Sequence, residues 1–226
     1  KISPIKPNQP LRKGKNLNVG CGSYEIRNFI SLDYFSDHYY GNSGLDFKRI
    51  QYDMRNDTLP FKKSEVDNIY CSHVIEHIET EYVERFFADS FRVLKKNGTL
   101  RISCPDSYFM YNLLILLNTK DAEKNFFFNI ASHKFDKKNY GLKKDYRKYS
   151  YQNLMKELRK DGYYRQEHPD WHINNWDYER LHKVAKKAGF NKIIKSKHQG
   201  SFSTDMQGED MDLCHPEMSL YMDFIR

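Results

Sequence analysis

The sequence predicts a doubly wound α/β domain with a parallel sheet, on three observations. Short apolar runs alternate with amphipathic segments through residues 14–106. The first run ends in a glycine turn, Gly20-Cys21-Gly22, where such folds bring their backbone against a ligand. The chain of 226 residues is 39% hydrophobic and 15% aromatic, enough apolar surface for one substantial core.

Residues 16–19 form the first short apolar strand, and residues 29–32 the second, closed by Asp33. Residues 49–54 are a third, stopped by the turn-rich stretch Arg55-Asn56-Asp57-Thr58-Leu59-Pro60, and residues 66–72 a fourth. Thr80 is the expected N-cap of a helix in which Val83, Phe86, Phe87, Phe91 and Leu94 recur at helical spacing. Asn97-Gly98 is its expected left-handed stop. Residues 99–104 are a fifth strand, ended by Pro105.

The rhythm then breaks. Residues 108–117 read as helix, but residues 119–172 are polar, rich in Lys and Tyr and weakly periodic, with a short helix expected over 151–159. It resumes with an amphipathic helix over 177–188, closed by Gly189, and with strands at Ile193-Ile194 and over 218–225. The expected organisation is one domain over 1–226. Residues 14–106 are its ligand-binding core, 107–175 an inserted, mainly helical lid, and 176–226 a helix and strands that complete the sheet.

Charge is distributed unevenly. The net +7 separates into 16 basic and 14 acidic residues over 1–110, 20 and 10 over 111–200, and one and six over 201–226. The excess therefore lies in residues 111–200, which hold most of the insertion. There it is interleaved with Tyr140, Tyr146, Tyr149, Tyr151, Tyr163 and Tyr164, a mixture that suits an anionic or sugar ligand and could also follow RNA phosphates. The acidic stretch 205–212 lacks calcium-loop spacing and reads as an exposed loop.

Cys21, Cys71, Cys104 and Cys214 show no C-x-x-C pair and no disulfide framework, which suggests reduced thiols and a cytoplasmic protein. No apolar run reaches the length of a membrane span, and no leader peptide is expected. Cys71, His73 and His77 lie close in sequence but straddle a strand-to-helix turn and lack a fourth partner, so no metal is expected.

The glycine turn carries the chemistry. Gly20 and Gly22 let the backbone approach a ligand with amide N–H groups directed at it. Ser23-Tyr24-Glu25 follows, so the third glycine of a dinucleotide fingerprint is missing. Asp33, eleven residues after Gly22 at the end of the next strand, places a carboxylate beside the loop, where it can accept both hydroxyls of a ribose. Asp53, ending the third strand, can meet an adenine amino group. Either aspartate could instead serve a turn, and Glu76 could brace its loop or belong to the site. His73 and, in Trp171-His172-Ile173-Asn174-Asn175-Trp176, His172 are the candidate bases at the mouth of the sheet, with Asp106 and Tyr108 facing the same crevice.

Gly20-Cys21-Gly22, Asp33, Gln51-Tyr52-Asp53-Met54, Leu59-Pro60-Phe61, Val66-Asp67-Asn68-Ile69-Tyr70, Ser72-His73-Val74-Ile75-Glu76-His77 and Arg92-Val93-Leu94-Lys95-Lys96-Asn97-Gly98 occur in that order. As an ordered set they resemble the class I S-adenosylmethionine-dependent methyltransferases, most closely small bacterial enzymes of cell-surface polysaccharide and lipopolysaccharide synthesis. The resemblance implies a Rossmann-like seven-stranded sheet, mostly parallel with an antiparallel last strand. It also implies S-adenosylmethionine as cofactor and S-adenosylhomocysteine as product.

By the same resemblance, Asn18, Val19, Gly20, Cys21 and Gly22 would pass the methionine end and Asp33 and Tyr34 the ribose. Asp53 and Met54 would meet the adenine, and Ser72 and His73 the sulfonium. Asn18 stands where the family often has an acid, and the first helix must be very short. The implied acceptor is a small molecule or glycan, with the insertion setting specificity. The alternatives are an RNA or protein methyltransferase, a catalytically silent cofactor-binding subunit, and a nicotinamide-dependent oxidoreductase, against which the missing glycine argues.

Overall fold

The computed structural model describes residues 12–35, 49–134, 148–160, 162 and 168–226. Its strands are β1 Asn16–Val19, β2 Phe29–Asp33, β3 Ile50–Gln51, β4 Val66–Ser72, β5 Leu94–Pro105, β6 Lys192–Lys195 and β7 Ser219–Ile225. Its α-helices are α1 Thr80–Val93, α2 Ser107–Leu117, α3 Lys120–Ala131, α4 Tyr151–Leu158 and α5 Tyr178–Ala188.

The strands form one seven-stranded sheet in the order β3-β2-β1-β4-β5-β7-β6. Its first five members are parallel, whereas β7 runs antiparallel to both neighbours. The strand order reverses direction at β1, so a crevice opens beyond the carboxyl ends of β1 and β4. This is the Rossmann-like sheet with an antiparallel last strand that the sequence resemblance implies.

One face of the sheet is sealed by α1 and α5. Phe87 of α1 meets Phe224 of β7 edge-to-face at 5.0 Å, and Phe190, just past the left-handed Gly189 cap of α5, packs on Phe91 at 5.1 Å. A second core lies outside the sheet. Met110 and Leu114 of α2, Phe126, Phe127 and Ile130 of α3, and Leu154, Met155 and Leu158 of α4 bury one another. The segment between β5 and α5 thus has its own apolar cluster, and α4 spans Tyr151–Leu158 as its short period predicts. Tyr140, Tyr146, Tyr163 and Tyr164 lie outside the described residues. Among those described, no helix is long and apolar enough to cross a membrane.

Several boundaries differ from the local pattern, each for a tertiary reason. Thr80 is the first helical residue of α1 rather than its cap; Glu79 holds the cap position, and the Thr80 hydroxyl accepts from Arg180 instead. The helix ends at Val93, before Asn97-Gly98. Leu94 leaves it, fully buried, to pair with Val66, while the Asn97 N–H donates to the Arg226 carbonyl at 2.9 Å. β3 covers only Ile50–Gln51, because the Asp53 carbonyl accepts from the N–H groups of Asn56 and Asp57 and closes a turn.

The largest departure concerns residues 205–212, which do not form an exposed loop. Met206, Asp210, Met211 and Asp212 are buried. Asp210 pairs with Arg12 at 2.7 Å, and Asp212 accepts from Arg101 of β5 at 2.5 Å. A buried cation on the strand captures the acidic stretch, a partnership no local pattern reveals.

Candidate active site

The glycine turn folds tightly at the end of β1. The Gly20 N–H donates to the Leu32 carbonyl at 2.8 Å, and Gly20 and Gly22 have φ of +68° and +53°. A Cβ on Gly20 would stand 2.2 Å from Val74 Cγ2, so glycine is required there by contact as well as by conformation. Asn18 is buried and uses its Nδ2 to hold the Tyr24 carbonyl at 3.1 Å, bracing the turn from behind. Cys21 is also buried; burial, with Asp33 beside it, pushes its thiol up to about 12.

Asp33 ends β2 against this turn. Oδ2 accepts from the Gly22 N–H at 2.7 Å and Oδ1 from the Tyr34 N–H at 2.8 Å. One backbone donor per oxygen fixes the carboxylate plane, and the Cys21 thiol lies 3.8 Å from Oδ2. Gly20, Gly22, Asp33 and Tyr34 line a cavity of about 370 Å³ whose wall continues through His73, Glu76, His77 and His172.

The other expected cofactor residues stand elsewhere. Asp53 turns to its own loop, where Oδ1 accepts from the Arg55 N–H at 2.9 Å and Oδ2 from Asn56 Nδ2 at 2.7 Å. Met54 is buried in the main core. Ser72 accepts from Ser103 Oγ at 2.6 Å on the neighbouring strand. None of these three, nor Asn18, Val19 or Cys21, is among the residues lining the cavity. Asp106 and Tyr108 do not line it either. Asp106 caps α2 through the Tyr108 and Phe109 N–H groups, and Tyr108 lies exposed against Tyr151.

Past β4 the chain makes a left-handed step at His73, φ +53°, and enters a single 3₁₀ turn over Ile75–His77. His73 Nδ1 lies 3.1 Å from Glu76 Oε1, and Nε2 lies 2.8 Å from Ser219 Oγ. Glu76 is 1% exposed. Burial opposes its charge, but His73, with His77 and His172 behind it, prevails and holds the carboxyl down at about 2.

The segment after residue 168 is tied across this turn. The N–H groups of Ile173 and Asn174 both donate to the Glu76 carbonyl at 3.0 Å. His172 Nδ1 reaches the Asn129 carbonyl at 2.5 Å, one of the last four carbonyls of α3, which lack intrahelical partners. His77 Nδ1 reaches the Trp171 carbonyl at 3.0 Å, and the His77 and His172 rings meet edge-on at 4.8 Å.

Burial, aided by His77, lowers His172 to about 4. The sign of the stability effect follows. The unfolded chain binds a proton near pH 6.5 that the folded one refuses until about 4, so stability contributed by neutral His172 is complete above pH 6.5 and lost as pH falls toward 4. In EDTA, the wild type should lose on the order of 2 kcal/mol across that window in urea unfolding. His172→Gln should flatten that part of the profile, and an unchanged slope in the variant would contradict the assignment.

His73 was legible from the sequence, as was the Gly20–Asp33 corner. The contributions of Arg55 and Phe128 to the wall were not, nor were those of Cys214 and His215, which come from loops without periodicity.

Comparison with known proteins bears on this corner. Residues 17–102, less than half of the chain, match the family model described as "Methyltransferase domain". The matched stretch runs from β1 into β5. No curated protein matches it. A SAM-dependent methyltransferase structure from Archaeoglobus fulgidus is 13% identical, with a TM-score of 0.50 over 94% of this chain and 86% of that one. Another from Methanosarcina mazei is 13% identical, with a TM-score of 0.48 over 98% of this chain and 96% of that one. At this identity the Archaeoglobus likeness speaks to the fold.

Proposed function

We propose that the chain is a methyltransferase that takes its methyl group from S-adenosylmethionine and passes it to a hydroxyl or amine of a small molecule or glycan. The observation that carries the reading is the corner in which Gly20, Gly22 and Asp33 share one cavity wall with His73. The corner fits the cofactor on its own chemistry. The space beside Gly22 is open, with nothing within 4 Å of where a Cβ would stand, and the plane of the Asp33 carboxylate is set by two backbone donors. These features suit a methionine chain passing the backbone and a ribose offering two hydroxyls.

When bound, S-adenosylmethionine supplies a sulfonium-activated methyl group and leaves as S-adenosylhomocysteine. The chain's own task is then alignment and exclusion of water. Asp33 holds the ribose, and the Gly20–Gly22 backbone seats the methionine end. His73, its Nδ1 oriented by Glu76, is the group for the acceptor's proton once the acceptor takes the place of Ser219 at Nε2. His172 has too little proton affinity for that task near neutral pH. The exposed ring of Phe128, which lines the cavity, supports a stacked sugar.

The test is ligand-induced thermal stabilisation. S-adenosylmethionine and S-adenosylhomocysteine should each raise the midpoint, and NADH should not. His73→Asn should keep that stabilisation while cutting methyl transfer about 100-fold. No shift with either sulfur ligand would overturn the reading. Radiolabel appearing in RNA or protein, but not in glycans or small molecules, would move it to the macromolecular alternative.

A further inference from the structure

Three side chains able to ligate a metal, Glu76 buried and His77 and His172 half-buried, meet in the cavity wall with no task assigned to them together. One donor atom from each of Glu76, His77 and His172 lies within 4.8 Å of the others. Apart from the His73 ring nitrogen 3.1 Å from Oε1, no partner reaches either carboxylate oxygen of Glu76 among the described residues, although the side chain is almost fully buried. A buried carboxylate so sparsely partnered suits a cation.

The imidazoles are set in a complementary way. A carbonyl only accepts, so His77 Nδ1 must donate to Trp171 and His172 Nδ1 to Asn129. Each ring is thereby fixed in the tautomer that leaves Nε2 as its lone pair, the outer-shell arrangement of metal-binding histidines.

We propose that Glu76, His77 and His172 bind one divalent cation of the first transition row, such as Zn²⁺, in the cavity wall. Two histidines and a glutamate are a ligand set of catalytic zinc, and three protein ligands leave coordination positions open. Bonds of about 2.1 Å draw neighbouring donors to roughly 3–3.5 Å apart, so the three side chains close by about 1 Å on binding. His73, at 3.1 Å from Oε1, belongs to the surroundings of the site and orients the carboxylate. On the methyl-transfer reading, the open positions take an oxygen of the acceptor and so favour hydroxyl acceptors.

The experiment is a Co²⁺ titration of EDTA-stripped protein, followed by visible absorption, with Zn²⁺ as competitor. One equivalent of Co²⁺ should bind with a ligand-field spectrum and be displaced by Zn²⁺. His77→Ala, His172→Ala and Glu76→Gln should each weaken binding about 100-fold or more. His198→Ala, an exposed imidazole outside the cavity, should change nothing. Circular dichroism and S-adenosylhomocysteine binding, both measured without metal, establish that each variant is folded. Absence of stoichiometric binding in the wild type would overturn the proposal, as would equal affinity in the folded cavity variants. Sulfur-ligand binding without a cobalt spectrum would remove the metal site alone, and a cobalt spectrum without sulfur-ligand binding would remove the methyl-transfer reading alone.

Discussion

Asp33→Ala should weaken S-adenosylmethionine binding by about 100-fold or more and erase the thermal shift that the ligand gives the wild type. Two charge-assisted hydrogen bonds to a ribose contribute about 1.5–3 kcal/mol each, and alanine supplies neither. The same change frees the Gly22 and Tyr34 N–H groups, now held at 2.7 and 2.8 Å, so the turn loses its brace along with its ligand contact. Asp33→Asn separates the two effects: it can keep an acceptor but not the charge, and its affinity should fall between the other two. Calorimetric titration of all three proteins is the measurement. Wild-type affinity in the alanine variant would remove Asp33 from the site.

Arg101→Met should cost about 3–5 kcal/mol, the price of leaving two buried carboxylates without their cation. Arg101, Asp212 and Asp223 are all inaccessible to solvent in their side chains. The guanidinium donates to Asp212 through Nε at 3.2 Å and Nη2 at 2.5 Å, and to Asp223 through Nη1 at 3.1 Å. It also holds the carbonyls of Lys197 and Gly200 at 3.0 and 3.2 Å, joining the loop after β6 to the acidic segment before β7. Lysine cannot replace this fork, because one ammonium cannot span both carboxylates and both carbonyls.

In a domain of this size, the predicted loss corresponds to a fall in melting midpoint of roughly 6–20 °C. Urea unfolding of the single variant and of Arg101→Met combined with Asp212→Asn and Asp223→Asn tests the cause. Partial recovery in the triple variant is expected, and a triple variant worse than the single would show that packing, not charge, dominates.

The features read correctly from the sequence share one property: each depends on residues within a turn or two of one another. β1 and β4 match their apolar runs, and Gly189 closes α5 where the pattern ends. The glycine turn and Asp33 were legible because eleven residues of strand logic join them. The misread features involve a distant partner. Asp205–Asp212 looked solvated because nothing nearby in sequence could neutralise it, yet Arg101 lies 111 positions from Asp212. Asp53, expected to meet an adenine, is a local case instead: a turn closing within four residues holds its carboxylate.

The strand and helix rhythm, the sharp glycine turn and the carboxylate beside it were thus written in local order, since backbone propensity and apolar periodicity act over short spans. The meeting of His172 with Glu76 and His77, residues nearly a hundred positions apart, was not. It exists because the Glu76 carbonyl takes two N–H groups from the 172–175 segment and a helix-end carbonyl of α3 takes the imidazole. Such pairings are set by which unsatisfied backbone groups the packed fold brings together, and a linear pattern carries no record of them.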